Sequence, residues 1–183
     1  MGVCMPSIEI SKSPTADTRT CEVSEVGIYQ LRESSKHHIE DVRKGINFFK
    51  GLMDEAASKH DWDKLEDLEG FYKDFKNDFK TDAWYQNHLK VNRHHLMSEE
   101  GVPEDVNLID VMEMVVDCVM AGLSRSGDVY DLEVSSDVLQ KSLKNTVDLL
   151  KSVVKVVDEN QDYLVEESEE VVDENEDYLA EGI

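Results

Sequence analysis

Residues 106–123 read VNLIDVMEMVVDCVMAGL. Leu108, Ile109, Val111, Met112, Met114, Val115, Val116, Val119 and Met120 set apolar side chains almost all round a helix. That is the pattern of a helix covered on every side. Asp110, Glu113 and Asp117 interrupt it at spacings of three and four, so the three carboxylates share one narrow stripe. Buried carboxylates are costly unless they are paired or hold a cation. The stretch predicts a central helix with a polar seam that basic side chains or a metal must satisfy.

Outward from this helix the periodicity stays helical from residue 28 to residue 157, with Gly and Pro scarce and no sustained strand-like alternation. Ser34-Ser35 can cap a helix running to about Ser58, with Ile39, Val42, Ile46, Phe49 and Met53 on its buried face. A second helix is predicted over 61–79, with Leu65, Leu68, Phe71, Tyr72 and Phe75 inward, and a third over 82–97. Gly101-Val102-Pro103 breaks the chain before the central helix, and a last amphipathic helix is predicted over 136–157. The expected class is all-α: an irregular segment over 1–27, a helical domain over 28–157 and an acidic tail over 158–183.

The 183 residues carry 41 acidic side chains against 19 Lys plus Arg, a net charge of −22. Gripping long nucleic acid needs a basic face, so that function is excluded, and docking on anionic membranes with it. The tail holds 12 of the acidic residues and no basic one. It also repeats itself: Val156-Val157-Asp158-Glu159-Asn160 returns as Val171-Val172-Asp173-Glu174-Asn175, each copy ending in Tyr-Leu. A solvated, disordered tail is expected, with docking to a protein partner or mimicry of DNA as the sharper reading. Three widely spaced cysteines argue for a reducing cytoplasm.

All six histidines fall between His37 and His95. His60-Asp61 is followed one helical turn later by Lys64, so an imidazole, a carboxylate and an ammonium group share a face. Trp84, His88, Val91 and His95 form a second stripe, which favours His95 over His94 as a metal ligand. His38, with His37 as the fallback, lies at the edge of the first helix's buried face.

In order, the set is His38, His60-Asp61, His88, His95 and Asp117. It resembles the HD superfamily of metal-dependent phosphohydrolases, and most closely uncharacterised HD-like proteins of phages and bacteria. The segment His60-Asp61-Trp62-Asp63-Lys64 is similar to the His-Asp-x-x-Lys of the two-metal branch. Trp84 to His88 followed by Asn92-Arg93-His94-His95, and Glu113-Met114-Val115-Val116-Asp117, match the phage-type pattern. The resemblance covers roughly residues 34–125 and implies an HD-domain-like bundle in the cytoplasm of a bacterial or phage-infected cell.

The resemblance further implies one or two divalent ions (Mn, Fe, Co, Ni or Zn) held by His38, His60, Asp61, His88, His95 and Asp117. A small phosphorylated substrate, a nucleotide or a nucleotide-derived ester, would be cut by a metal-activated water. Lys64 is expected to neutralise its charge, with Arg125, His94 and Trp84 as further substrate contacts. Glu113, or a carboxylate near Asp61, is expected to accept the water's proton. Two other classes stay open. One is a non-enzymatic acidic protein that sequesters a nucleotide or blocks a host factor. The other is a di-iron oxygenase on the same fold. A homodimer is compatible with each.

Overall fold

The computed structural model describes residues 7–13, 15, 17–80, 83–97, 101–129 and 131–157. The acidic tail over 158–183 lies outside the described residues. In chain order come β1 (Ile8–Ser11), a 3-10 turn (Val23–Glu25), α1 (Ile28–Lys59), α2 (Trp62–Glu66) and α3 (Leu68–Lys76). Then follow α4 (Ala83–Val91), α5 (Leu108–Arg125), α6 (Ser136–Val153) and β2 (Val154–Val157). The chain is mostly helical, as its periodicity predicts. Among the described residues no helix is long and apolar enough to cross a membrane.

Two strands depart from the all-α expectation. β1 lies in the segment read as irregular, and β2 takes the end of the last predicted helix. They pair in parallel, with Ile8 opposite Val154 and Ser11 opposite Val157. Every residue from Val153 to Val157 except Lys155 is β-branched. Such side chains lose rotamer freedom in a helix and fit a pleated surface. The strand pair lies on α1 and closes a core of Ile8, Phe48 and Val153, with Ile10, Leu52 and Leu149 packed around it.

A second core of Leu96, Val106 and Met114 joins α5 to the preceding loop and to α6. Asn107 caps α5 by accepting from the Ile109 amide at 2.9 Å, while Asp110 accepts from the Asn107 amide at 2.8 Å. α6 holds the same end: Thr146 Oγ1 accepts from the Leu108 amide, and the Asn145 amide group donates to the Val106 carbonyl.

Several predicted faces are corrected. α1 starts at Ile28, and it packs through Gly45, Phe48, Phe49 and Leu52; of the predicted face Phe49 and Met53 are half-buried, whereas Ile39, Val42 and Ile46 are exposed. The strand pair covers the C-terminal part of α1 and leaves the predicted stripe bare before it. The predicted helix over 61–79 is split at Asp67, whose carboxylate caps α3 by accepting from the Gly70 amide. Leu65, Leu68, Tyr72 and Phe75 are exposed, and only Phe71 of the predicted inward set is half-buried, against Trp84. α5 is not covered all round: Met112, Val116, Met120 and Leu123 are exposed.

Candidate metal centre

Three corners of the chain converge on one cluster. The first is the junction of α1 and α2. His60 leaves the helix with extended ψ, and Asp61 adopts the left-handed conformation (φ 52°, ψ 26°). Asp tolerates that region better than most residues do. The corner turns the chain sharply and sets His60 and Asp61 side by side.

The second corner is α4. Asp74, buried at the end of α3, accepts from the Trp84 and Tyr85 amides at 3.0 Å each and so caps α4. His88 then points inward, stacked on Trp84 with ring centroids 4.9 Å apart.

The third corner follows α4, which ends at Val91 and not at 97 as predicted. Asn92 turns back to donate to the His88 carbonyl and to Asp63. Arg93 clamps Asp110 on α5 through two bonds of 2.8 and 2.9 Å. Leu96 is buried in the second core. A Cβ on Gly101 would stand 2.2 Å from the His95 carbonyl oxygen, so only glycine lets the chain pass there. With the helix broken, His94 and His95 both face inward.

Asp61 is the centre of the cluster. Its Oδ1 lies 3.5 Å from His94 Nε2 and 3.6 Å from His88 Nε2. Its Oδ2 lies 3.5 Å from His60 Nε2 and bonds Lys64. His60 Nε2 is also 3.6 Å from Asp117 Oδ1. His95 Nε2 is 2.9 Å from His88 Nε2. Among the described residues three groups could hold a cation: His60 with His94 and Glu113, Asp61 with His94 and His95, and His60 with Asp61 and Asp117. Asp61 belongs to the last two.

Burial pushes the Asp61 carboxyl up, but Lys64 and the nearby imidazoles outweigh it and hold the group below the usual range. Burial, together with His94 and His88, pushes His95 down to about 4. That direction favours the neutral imidazole, the form that ligates metals.

The donor set fits a divalent ion. Asp61 Oδ1 and both ring nitrogens of His94 are buried without a hydrogen-bond partner among the described residues. His94 Nδ1 is 3.0 Å from Glu113 Oε1 but out of line for a hydrogen bond. Orphaned buried acceptors carry a desolvation cost that a cation would offset.

Of the residues singled out from the sequence, His60, Asp61, Lys64, His88, His94, His95, Glu113 and Asp117 meet here. His38 does not. It is exposed on α1, 22 positions before His60, or about 33 Å along an unbroken helix. Arg125 is exposed at the far end of α5, two turns beyond Asp117. Trp84 is buried behind His88, between it and Phe71, so it supports the histidine and offers no open stacking surface. Asp110, expected on the same seam, is taken by Arg93.

Sequence reasoning missed Asp63 and Asn92. Asp63 is buried and accepts from His88 Nδ1 at 2.9 Å and from the Asn92 amide group at 2.8 Å. This is the carboxylate–imidazole pairing that fixes a metal-binding tautomer. Its only sequence signal is its place between Asp61 and Lys64.

A cavity of about 190 Å³ reaches His94, His95 and Asp117 over a floor that includes Leu89, Met114 and Cys118. Met97 separates it from a second cavity of about 460 Å³ between Leu96, Val102 and Val138. Comparison of the chain with family models, curated proteins and solved structures finds no match.

Proposed function

We propose that the chain is a metal-dependent phosphohydrolase acting on a nucleotide or nucleotide-derived phosphate ester. The observation that carries the reading is Asp61. One carboxylate faces three imidazole Nε2 atoms at 3.5–3.6 Å, and its Oδ1 has no hydrogen-bond partner among the described residues. The order His60-Asp61, then Asp117 on a distant helix, is similar to that of the HD superfamily. The first histidine of that pattern has no counterpart here, because His38 lies too far away.

A divalent ion bound there would supply a nucleophilic water at neutral pH and polarise the phosphoryl oxygen. The side chains do the rest. Lys64 brings a positive charge to the Asp61 Oδ2 side, where an equatorial phosphoryl oxygen would need it. Asp117, 31% exposed, is the carboxylate open to the cavity and is better placed than Glu113 to accept a proton. Glu113 sits behind the rings, against Nδ1 of both His60 and His94. The 190 Å³ cavity is smaller than the ~300–1,000 Å³ that holds a whole ligand. It suits the reacting group alone, with the cavity beyond Met97 for the remainder.

The test is metal content by elemental mass spectrometry, wild type beside Asp61→Asn, followed by a nucleotide panel with the metal found. Asparagine tolerates the left-handed backbone of position 61, so the variant keeps the corner. Stoichiometric metal and ester cleavage, both lost in Asp61→Asn, are expected. A protein that takes up none of Mn, Fe, Co, Ni or Zn sinks the reading. Bound iron with oxygen consumption and no ester cleavage would point to the oxygenase. A second reading, an acidic binding protein, draws support from the exposed apolar face of α5. It predicts metal without turnover.

A further inference from the structure

We propose that the acidic segment over 158–183 docks back onto α1, on an apolar seam of Ile39, Val42 and Ile46 edged by Arg43 and Lys50.

α1 carries more of an interface than the fold uses. Ile39, Val42, Ile46, Phe49, Met53 and Ala56 alternate spacings of three and four, the pattern of a seam that lies against a partner. Phe49, Met53 and Ala56 are half-buried. Ile39, Val42 and Ile46 continue the same seam and are each close to half exposed or more.

Lys36, Arg43 and Lys50 follow one flank of the seam, seven positions apart and all exposed. Lys36 is paired with Glu33, but among the described residues no ion pair holds Arg43 or Lys50. An apolar stripe edged by unpaired cations complements an acidic partner with apolar side chains of its own. A second copy of α1 fits poorly. Antiparallel, the two basic flanks would face each other; parallel, each would meet Leu31, His38 and Gly45, none of them acidic.

The path of the chain leads an acidic segment to this place. Lys44 Nζ donates to the Glu9 carbonyl at 2.8 Å, and the Thr15 hydroxyl bonds that of Ser34. The chain after β1 therefore runs back along α1, from the level of Lys44 to that of Ser34. β2 is parallel to β1, and the Lys12 amide donates to the Val157 carbonyl at 3.2 Å, so Val157 points the same way. Leu150, four residues before β2, lies 3.9 Å from where a Cβ on Gly45 would stand. Gly45 adjoins Val42 and Phe49 on the helix surface, so β2 descends on the seam's side of α1.

Beyond Val157 come 12 acidic residues and no basic one, with apolar pairs at Tyr163-Leu164, Val171-Val172 and Tyr178-Leu179. Residues 158–164 alone can span up to about 23 Å, whereas Ile46 and Ile39 are about 10 Å apart along the helix. Tethered this closely, the segment meets the seam at an effective concentration on the order of millimolar.

The experiment is limited proteolysis of the full chain by a Glu-specific protease, with the fragments of 158–183 followed by mass spectrometry. Sedimentation gives the oligomeric state, and circular dichroism checks each variant's fold. Wild type should be a monomer whose acidic segment is cut slowly. Val42→Ser with Ile46→Ser should speed the cutting by at least about tenfold, since both aliphatic side chains leave the contact. Arg43→Gln with Lys50→Gln should also speed it, and it tests the docking independently if the serine variant does not fold. Met120→Ser, on the exposed apolar face of α5, should leave the rate unchanged.

Equal rates in wild type and both double variants would overturn the proposal. So would acceleration by only one of two folded double variants, or an equal acceleration by Met120→Ser. A wild-type dimer that dissociates in the seam variants would overturn it in favour of a second copy.

Discussion

The two faces of α5 are built in opposite senses. One carries Asp110, Glu113 and Asp117, and each of these carboxylates finds partners: Arg93, then His60 and His94, then His60 again. The other carries Met112, Val116, Met120 and Leu123, each more than half exposed. A third side buries Met114 in the second core, and Ile109 is buried as well. Apolar packing and the polar seam therefore fix the rotation of α5 together, the seam gripped by the turn after α4 and the corner before α2 through charge-assisted bonds. The outer apolar side is what neither of them covers.

The comparison weakens if the polar side lacks real support. Trp84 is the largest group beneath it, stacked on His88 and against Phe71. Trp84→Ala should cost about 3–5 kcal/mol, as for other buried aromatics. Urea unfolding would read this, alongside a melting temperature lower by on the order of 10 °C. A cost near zero would mean that the indole is an open surface, and it would return to the list of substrate contacts.

Arg93 comes next. It is 40% exposed, while the Asp110 side chain it holds is only 5% exposed. Arg93→Ala should cost about 3 kcal/mol, the low end for breaking a buried pair, because Asp110 keeps its bond from the Asn107 amide. Arg93→Lys should recover only part, since lysine lacks the two-pronged fork. A double-mutant cycle with Asp110→Asn should show a coupling of roughly 0.5 kcal/mol or more. Additive effects would mean that the pair does not set the rotation of α5.

Much of this arrangement was legible beforehand, and the illegible parts share a cause. The helices of α1, α5 and α6, the polar seam and the His60-Asp61 corner come from local patterns of spacing. The end of α4 does not. Trp84, His88, Val91 and His95 keep helical spacing with no glycine or proline before Gly101. Only the tertiary bonds of Asn92 and Arg93 stop the helix at Val91, and they bring His94 inward beside His95. Asp63 is hidden for the same reason: its partners come from α4 and the turn after it. β2 had a local signal in its valines, but its partner strand lies at the other end of the described chain. For α1, the spacing of Ile39, Val42 and Ile46 is sound as a stripe. What covers a stripe is not encoded in its spacing.

The smallest expected effect is the sharpest test of the comparison, because it sets one residue type against itself on one helix. Met114 is 3% exposed and Met120 is 63% exposed, six positions apart on α5. Met114→Ala should cost about 2–5 kcal/mol, through lost burial and the cavity left beside Leu96 and Val106. Met120→Ala should stay within about 0.5 kcal/mol at dilute protein concentration, as for an open surface site. Unfolding at several protein concentrations separates two ways of missing that figure. A larger cost at every concentration would mean that α5 is rotated from the orientation described. A cost that grows with concentration would mean that a second copy of the chain covers the outer face, since stability gained by association follows mass action. The apolar pattern all round α5 would then be satisfied after all, on one side by the fold and on the other by its twin.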